Sequence, residues 1–424
     1  GSSPGFELAG AAHHCPRGGS LMLDVSVQHR VGAFTLDVDL QTASGVTAVF
    51  GPSGAGKTTL ARCVAGLTRP DTGRIAVDER VVFDGDTDLP PHRRDIGYVF
   101  QEARLFPHLS VRGNLMYGAG RGTDPTDVAN MLGIADLMDR RPGALSGGEA
   151  ARVAIGRALL RQPKLLIMDE PLAALDARRR ETILPWLERL RGAGVPILYI
   201  SHAIEEVARL ADTLVLLQEG RVVRAGSLAE ILSDPEAAAL MGPSQAGAVL
   251  EGDVIEVADG LAAIRTPAGV LHVAGVTGGR VRIRIRAEDV IVATQEPQGL
   301  SALNTLPAVI EAVQAGQGPG VMLRLQAGWA WGRRSGPSSR PAAWRDRTWG
   351  AEVSARDATR LRGPAATRVF RPVSGTIRSR PRADRLPVSG NPRPGPLSRA
   401  ISRAPNANSP ASRGWNHRGL SGSG

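Results

Sequence analysis

A chain of 424 residues with 42% hydrophobic content can hold two or three domains that each bury a core, so no disulfide or metal staple is required. Its net charge of +10 is concentrated: residues 328–424 contain 19 Arg, no Lys and 4 acids, so they carry +15 and the remainder −5. That distribution excludes a nucleic-acid footprint on the folded part, and no apolar run approaches the roughly 18 residues of a membrane-spanning helix.

In chain order, residues 1–21 read as a leader without order of its own. They lack the basic start and apolar stretch of a secretory signal, and Met22 stands just before the first strand-like pattern. His13, His14 and Cys15 fall in this leader, adjacent on one segment, and do not supply a closed tetrahedral metal set. With Cys63 as the other cysteine, a disulfide framework is not expected and a reducing cytosol suits the chain.

From 22 to 235, short apolar runs alternate with helix-period stretches, which predicts an α/β domain on a largely parallel sheet. The run 46–50 is a buried strand. It leads into Gly51-Pro52-Ser53-Gly54-Ala55-Gly56-Lys57-Thr58-Thr59 and a helix whose Leu60, Val64 and Leu67 form one apolar stripe. This is the phosphate-binding loop pattern in its proper setting. The glycines let backbone N–H groups turn toward phosphate oxygens, and the helix start adds its partial positive charge. Lys57 reaches the β and γ phosphates of a nucleotide such as ATP, and Thr58 ligates magnesium. Lys57 and Lys164 are the two lysines among 51 basic residues, so a chance lysine at this place is improbable.

The strand-like Ile96-Gly-Tyr-Val-Phe100 precedes Gln101, and Leu145-Ser146-Gly147-Gly148 leads into a helix read from Glu149 to Arg161, which stops at Gln162-Pro163. Residues 165–168 form a strand ending in Asp169 and Glu170. Such a pair alone marks a turn, but in a parallel sheet it emerges at the carboxyl edge beside the phosphate loop. There Asp169 holds magnesium through water and Glu170 polarises the attacking water as general base. A helix over 177–191 follows, with a bend expected at Pro185. Residues 197–200 form a strand before His202, and 213–217 form another. Residues 246–370 change to short β segments, among them Val281-Arg-Ile-Arg-Ile-Arg286 with period two, and predict a second, all-β domain. Its pattern is interrupted at 328–348. Residues 371–424 are rich in Arg, Pro and Ser and are expected to be disordered.

The run Leu145 to Glu149, some twenty residues before Asp169-Glu170, resembles the signature of ABC ATPases. The resemblance implies an α/β P-loop NTPase of ABC type, with a parallel core sheet, an antiparallel β subdomain and a helical subdomain. It also implies a head-to-tail pair of identical chains, in which Ser146, Gly147 and Gly148 close over the γ phosphate held by the second copy. Gln101 matches the family's Q-loop, which contacts magnesium and water and passes the nucleotide state to the membrane subunit. His202 matches the switch histidine, and Leu172-Ala-Ala-Leu-Asp176 the D-loop. Phe34 is the candidate for stacking on adenine, with Arg30 as the alternative.

Further stretches resemble molybdate-importer ATPases in particular: Arg104-Leu-Phe-Pro-His-Leu-Ser-Val-Arg-Gly-Asn114-Leu-Met-Tyr-Gly118, Arg152-Val-Ala-Ile-Gly-Arg-Ala-Leu159 and Pro196-Ile-Leu-Tyr-Ile-Ser-His202. Sulfate and ferric-iron importer ATPases share shorter parts. The resemblance implies a peripheral protein on the cytoplasmic face of the inner (plasma) membrane, docked on integral-membrane permease subunits fed by an external oxyanion-binding protein. ATP hydrolysis there drives uptake of molybdate and tungstate. The β domain resembles the OB-like TOBE/Mop module, which binds molybdate or tungstate in some members and steadies the dimer in most; Ser301-Ala-Leu-Asn304 lies where such modules place polar groups. Two departures stand out. Ala150-Ala151 replaces the usual Lys-Gln, and the β pattern breaks at Gly328 to resume at Ala351, as an insertion or a shifted reading frame would produce. A soluble ABC ATPase of translation or DNA repair would carry tandem ATPase domains or a coiled-coil insertion, and neither is found. A regulatory oxyanion binder with a vestigial ATPase is opposed by the intact Lys57, Glu170 and His202.

Overall fold

The computed structural model describes residues 21–120, 123–192, 194–293, 303–315, 320–327, 348–354 and 366–370. The leader, the break at 328–347 and the tail from 371 lie outside the described residues.

A ten-stranded mixed sheet organises the first part of the chain. Its strands are β1 (Leu21–Val31), β2 (Phe34–Ala43), β3 (Val46–Phe50), β4 (Thr72–Val77), β5 (Arg80–Phe83), β6 (Ile96–Val99), β7 (Leu165–Asp169), β8 (Ile197–Ile200), β9 (Thr213–Gln218) and β10 (Arg221–Ser227). They lie in the order β5-β4-β1-β2-β10-β9-β3-β8-β7-β6. β3 pairs in parallel with both β8 and β9, β7 with β8, and β6 with β7. β1, β2, β4 and β5 form the antiparallel portion.

Strands of the parallel half are buried on both faces, which explains why they read as continuous apolar runs. Their side chains alternate between two cores, as the pleat requires. Leu165, Ile167, Leu198, Ile200 and Val49 face a core with Leu60 and Val64, whereas Leu166, Met168, Tyr199, Ala48 and Phe50 face the larger core under the remaining helices.

The helices are α1 (Lys57–Ala65), α2 (Val111–Met116), α3 (Thr126–Met131), α4 (Gly147–Leu159), α5 (Ala177–Gly192), α6 (Ile204–Leu210), α7 (Leu228–Ser233) and α8 (Pro235–Met241). Two sequence expectations change. α1 ends at Ala65 because Gly66 adopts the left-handed cap conformation (φ 73°), so Leu67 leaves the stripe and is 45% exposed. The second is α4, which begins at Gly147 rather than Glu149 because Ser146 caps it, while α5 holds Pro185 inside a single helix.

After α8 come β11 (Gly247–Ala258), β12 (Leu261–Thr266), β13 (Gly269–Ala274), β14 (Arg280–Arg286), β15 (Val290–Ala293), β16 (Asn304–Ala315), β17 (Gly320–Ala327), β18 (Thr348–Ser354) and β19 (Ala366–Phe370). They form sheets ordered β13-β12-β11-β14 and β15-β19-β16-β17-β18, which share one core. β18 and β19 occupy the stretches where the β pattern resumes after the break, β18 against β17 and β19 against both β15 and β16. β14 also holds α6: Arg282 donates to the carbonyl of Ala211 at 2.7 Å and to Glu251 at 3.1 Å, while Arg284 reaches Glu205 at 3.3 Å.

Candidate nucleotide site

Because β3, β6, β7 and β8 are parallel neighbours, their carboxyl ends lie along one edge, where the topology delivers Gly51, Gln101, Asp169-Glu170 and His202 together. The loop from Gly51 to Gly56 turns between β3 and α1. Gly56 has φ of 100°, and a Cβ there would stand 2.8 Å from Cζ of Phe34. The same contact places the Phe34 ring against the end of the loop.

Lys57 is 5% exposed, and its Nζ donates to the carbonyls of Gly51 at 2.8 Å and Pro52 at 3.0 Å. Burial lowers its pKa, and the charges of Glu170 and Asp169 oppose that shift. Thr58 donates its hydroxyl to Oδ1 of the buried Asp169 at 3.0 Å. Glu170 has left-handed backbone (φ 47°) and donates its N–H to the carbonyl of Ile200 at 3.0 Å, which ties the end of β7 to the end of β8. Its carboxylate lies 3.9 Å from Lys57 Nζ through Oε1 and 3.3 Å from His202 Nδ1 through Oε2, with the His202 side chain 56% exposed. Gln101 is exposed just beyond β6.

Ser146 caps α4 in a reciprocal box: its Oγ accepts the Glu149 N–H at 3.3 Å, and Glu149 Oε2 accepts the Ser146 N–H at 2.7 Å. That backbone donor holds the Glu149 carboxyl below its ordinary range. Ser146 and Gly147 are exposed, whereas Gly148 is buried, where a Cβ would meet Ile183 at 3.0 Å. Asp176 accepts the Arg179 N–H at 2.8 Å ahead of α5.

Sequence reasoning missed two residues. Tyr98 of β6 donates its hydroxyl to Asp169 Oδ2 at 2.8 Å, so Asp169 is held from both sides. A lone phenol in an apolar strand was the available signal. Buried Arg94 donates to the carbonyls of Cys63 and Val64 at the end of α1, to Leu89 and to Asp88, which anchors the phosphate-loop helix from behind. Asn304 is buried, accepting the His272 N–H at 2.7 Å and donating to its carbonyl at 2.9 Å, which ties it to β13. Ser301 and Ala302 lie outside the described residues.

The arrangement suits a magnesium nucleotide. Its oxygen donors Thr58 and Asp169 are those of a hard cation that takes its other ligands from phosphate and water. Among the described residues no group of three His, Cys, Asp or Glu converges as a closed metal cage.

A family model described as ABC transporter matches residues 36–173. The molybdenum import ATP-binding protein ModC of Rhodospirillum rubrum is 48% identical over 321 residues, covering 72% of this chain and 87% of that one. Its counterpart in Rhizobium etli is 50% identical over 319 residues, covering 72% of this chain and 89% of the relative. The chain belongs to the family of molybdenum import ATP-binding proteins. Its first sheet and helices have the ABC-type P-loop ATPase fold. Among solved structures it is similar to cbiO1 of Clostridium perfringens, part of an ABC transporter complex, at 29% identity and a TM-score of 0.46 over 51% of this chain and 92% of that one. Ala150 and Ala151 stand in α4, with Ala151 buried.

Proposed function

We propose that the chain is the ATP-hydrolysing subunit of an importer that takes up molybdate, and tungstate with it, working as a head-to-tail pair on the cytoplasmic face of the membrane beneath permease subunits. An external oxyanion-binding protein would feed the permease. The observation that carries the reading is the cluster Lys57, Thr58, Asp169, Glu170 and His202 on one sheet edge, in a chain about half identical to molybdenum import relatives.

Hydrolysis follows from what these groups can do. Lys57 exchanges its two carbonyl partners for phosphate oxygens, and the loop N–H groups hold the β phosphate. Glu170 takes the proton of the attacking water, with His202 beside it to donate toward the γ phosphate. Thr58, Asp169 and Gln101 would hold magnesium, which would supply charge neutralisation on the phosphates. Ser146, Gly147 and Gly148 of a second copy close the site, and Asp176 crosses between copies. Phe34, seated against the loop, stacks on adenine. We assign residues 22–235 to this ATPase, 246–370 to a TOBE/Mop-like β domain and 371–424 to a tail. Asn304 acts there as a clamp on β13.

Reconstitution with the neighbouring permease and binding protein tests the substrate. Molybdate and tungstate are expected to stimulate ATPase activity in competition with each other, and sulfate to leave it unchanged. Stimulation by sulfate alone would assign the chain to another importer.

A further inference from the structure

Two acidic residues are buried among the described residues, Asp169 and Glu206. Asp169 belongs to the nucleotide site, whereas Glu206 has no part in the chemistry above. It lies in the first turn of α6, four residues after His202. Its Oε2 accepts the hydroxyls of Tyr199 at 2.7 Å and Ser201 at 2.8 Å, and its Oε1 lies 3.2 Å from Nε of Arg180. Ser201 Oγ in turn accepts the Ala203 N–H at 3.0 Å, so the two residues flanking His202 are tied to each other and to Glu206. On its other side Arg180 donates through Nη2 to the Leu175 carbonyl at 3.3 Å, and its backbone N–H bonds the Asp176 carbonyl at 2.9 Å.

One carboxylate therefore joins the turn that carries His202 to the turn that carries Asp176. A buried ion pair is weak evidence for stability, since desolvation offsets its attraction, and its better attested use is to specify one geometry. Both turns begin from the same strand ends, because Ala173 donates to the Glu170 carbonyl and Glu170 to that of Ile200. A shift of Leu172 to Asp176 is thus carried through Arg180 and Glu206 to the backbone around His202.

We propose that Glu206, paired with Arg180, is a positioning residue that aims His202 and makes that aim depend on the Leu172 to Asp176 segment. The proposal rests on the ATPase reading above. Pairing of two copies, which engages Asp176, then sets His202 for hydrolysis.

Glu206→Gln separates the two halves of the link. Its amide oxygen can still accept Tyr199 and Ser201, while its NH2 faces the Arg180 guanidinium. The test uses the purified full chain, with steady-state ATPase kinetics and fluorescent-nucleotide binding, in wild type, Glu206→Gln, His202→Ala and the double variant. Glu206→Gln is expected to lower kcat by about tenfold or more while KM and nucleotide affinity stay within about threefold. In the His202→Ala background the same change should cost less than about twofold, because the group it aims is gone. Arg180→Gln, at a position 30% exposed and so tolerant of replacement, breaks the link from the other side and must show the same split. Equal losses in both backgrounds, or an unchanged kcat in both variants, overturn the proposal. Lys57→Ala separates the two levels. A wild-type rate that Lys57→Ala abolishes but Glu206→Gln spares removes this proposal alone, and a rate indifferent to Lys57→Ala removes the ATPase reading and this proposal with it.

Discussion

Tyr98→Phe deletes one oxygen from the nucleotide site and leaves the ring in place against Phe100, whose centroid lies 4.5 Å away. The lost bond runs at 2.8 Å to a carboxylate oxygen of Asp169, a residue 6% exposed, so water cannot readily replace the donor. Hydrogen bonds to charged groups are worth about 1.5–3 kcal/mol, and the expected loss is about 2 kcal/mol. For a domain of this size that lowers Tm by about 4–8 °C. The phenol pKa is raised, first by burial and then by the Asp169 charge, so the donor is intact at working pH. Because the folded state keeps this proton longer than the unfolded chain, the associated stability is full below the ordinary phenol range and declines as pH rises from there through the raised folded value. Asp169 would be left with Thr58 alone, and the magnesium concentration that half-saturates ATPase activity should rise by roughly tenfold, as when a metal ligand loses its supporting partner. Differential scanning calorimetry and a magnesium titration of steady-state hydrolysis measure the two effects. A variant with wild-type Tm and unchanged magnesium dependence would refute the reasoning that Tyr98 orients Asp169.

Glu170→Gln should retain nucleotide and accumulate pairs of chains with ATP, seen by size-exclusion chromatography, while turnover falls by orders of magnitude; unchanged hydrolysis would remove Glu170 as general base. Cys63 is fully buried, and burial pushes its thiol up to about 11. At pH 8 the thiolate is therefore about a thousandth of the population. In a Cys15→Ser chain an aromatic disulfide reagent should label Cys63 only on unfolding, and rapid labelling of the native protein would contradict the packing of α1.

Local pattern was enough wherever chemistry sits on consecutive residues. The glycine loop with Lys57 and Thr58, the strand ending in Asp169-Glu170 and the strand before His202 were readable because the proposed roles depend on local backbone shape and on emergence at a parallel strand end. The strands 46–50 and 197–200 were legible for a related reason: burial on both faces leaves an unbroken apolar run. The end of α1 was less legible, since Leu67 keeps the helical period and the left-handed Gly66 diverts it to solvent.

What the sequence alone determined, then, is the class of the chain and the residues offered to a nucleotide. Only tertiary structure decided what those residues lean on. Tyr98 meets Asp169 across 71 positions, Arg94 meets Cys63 across 31, and Asn304 turns to His272 across 32. No spacing rule links such pairs, because their approach is set by strand order and by which face of each strand is buried, and both follow from packing the whole sheet.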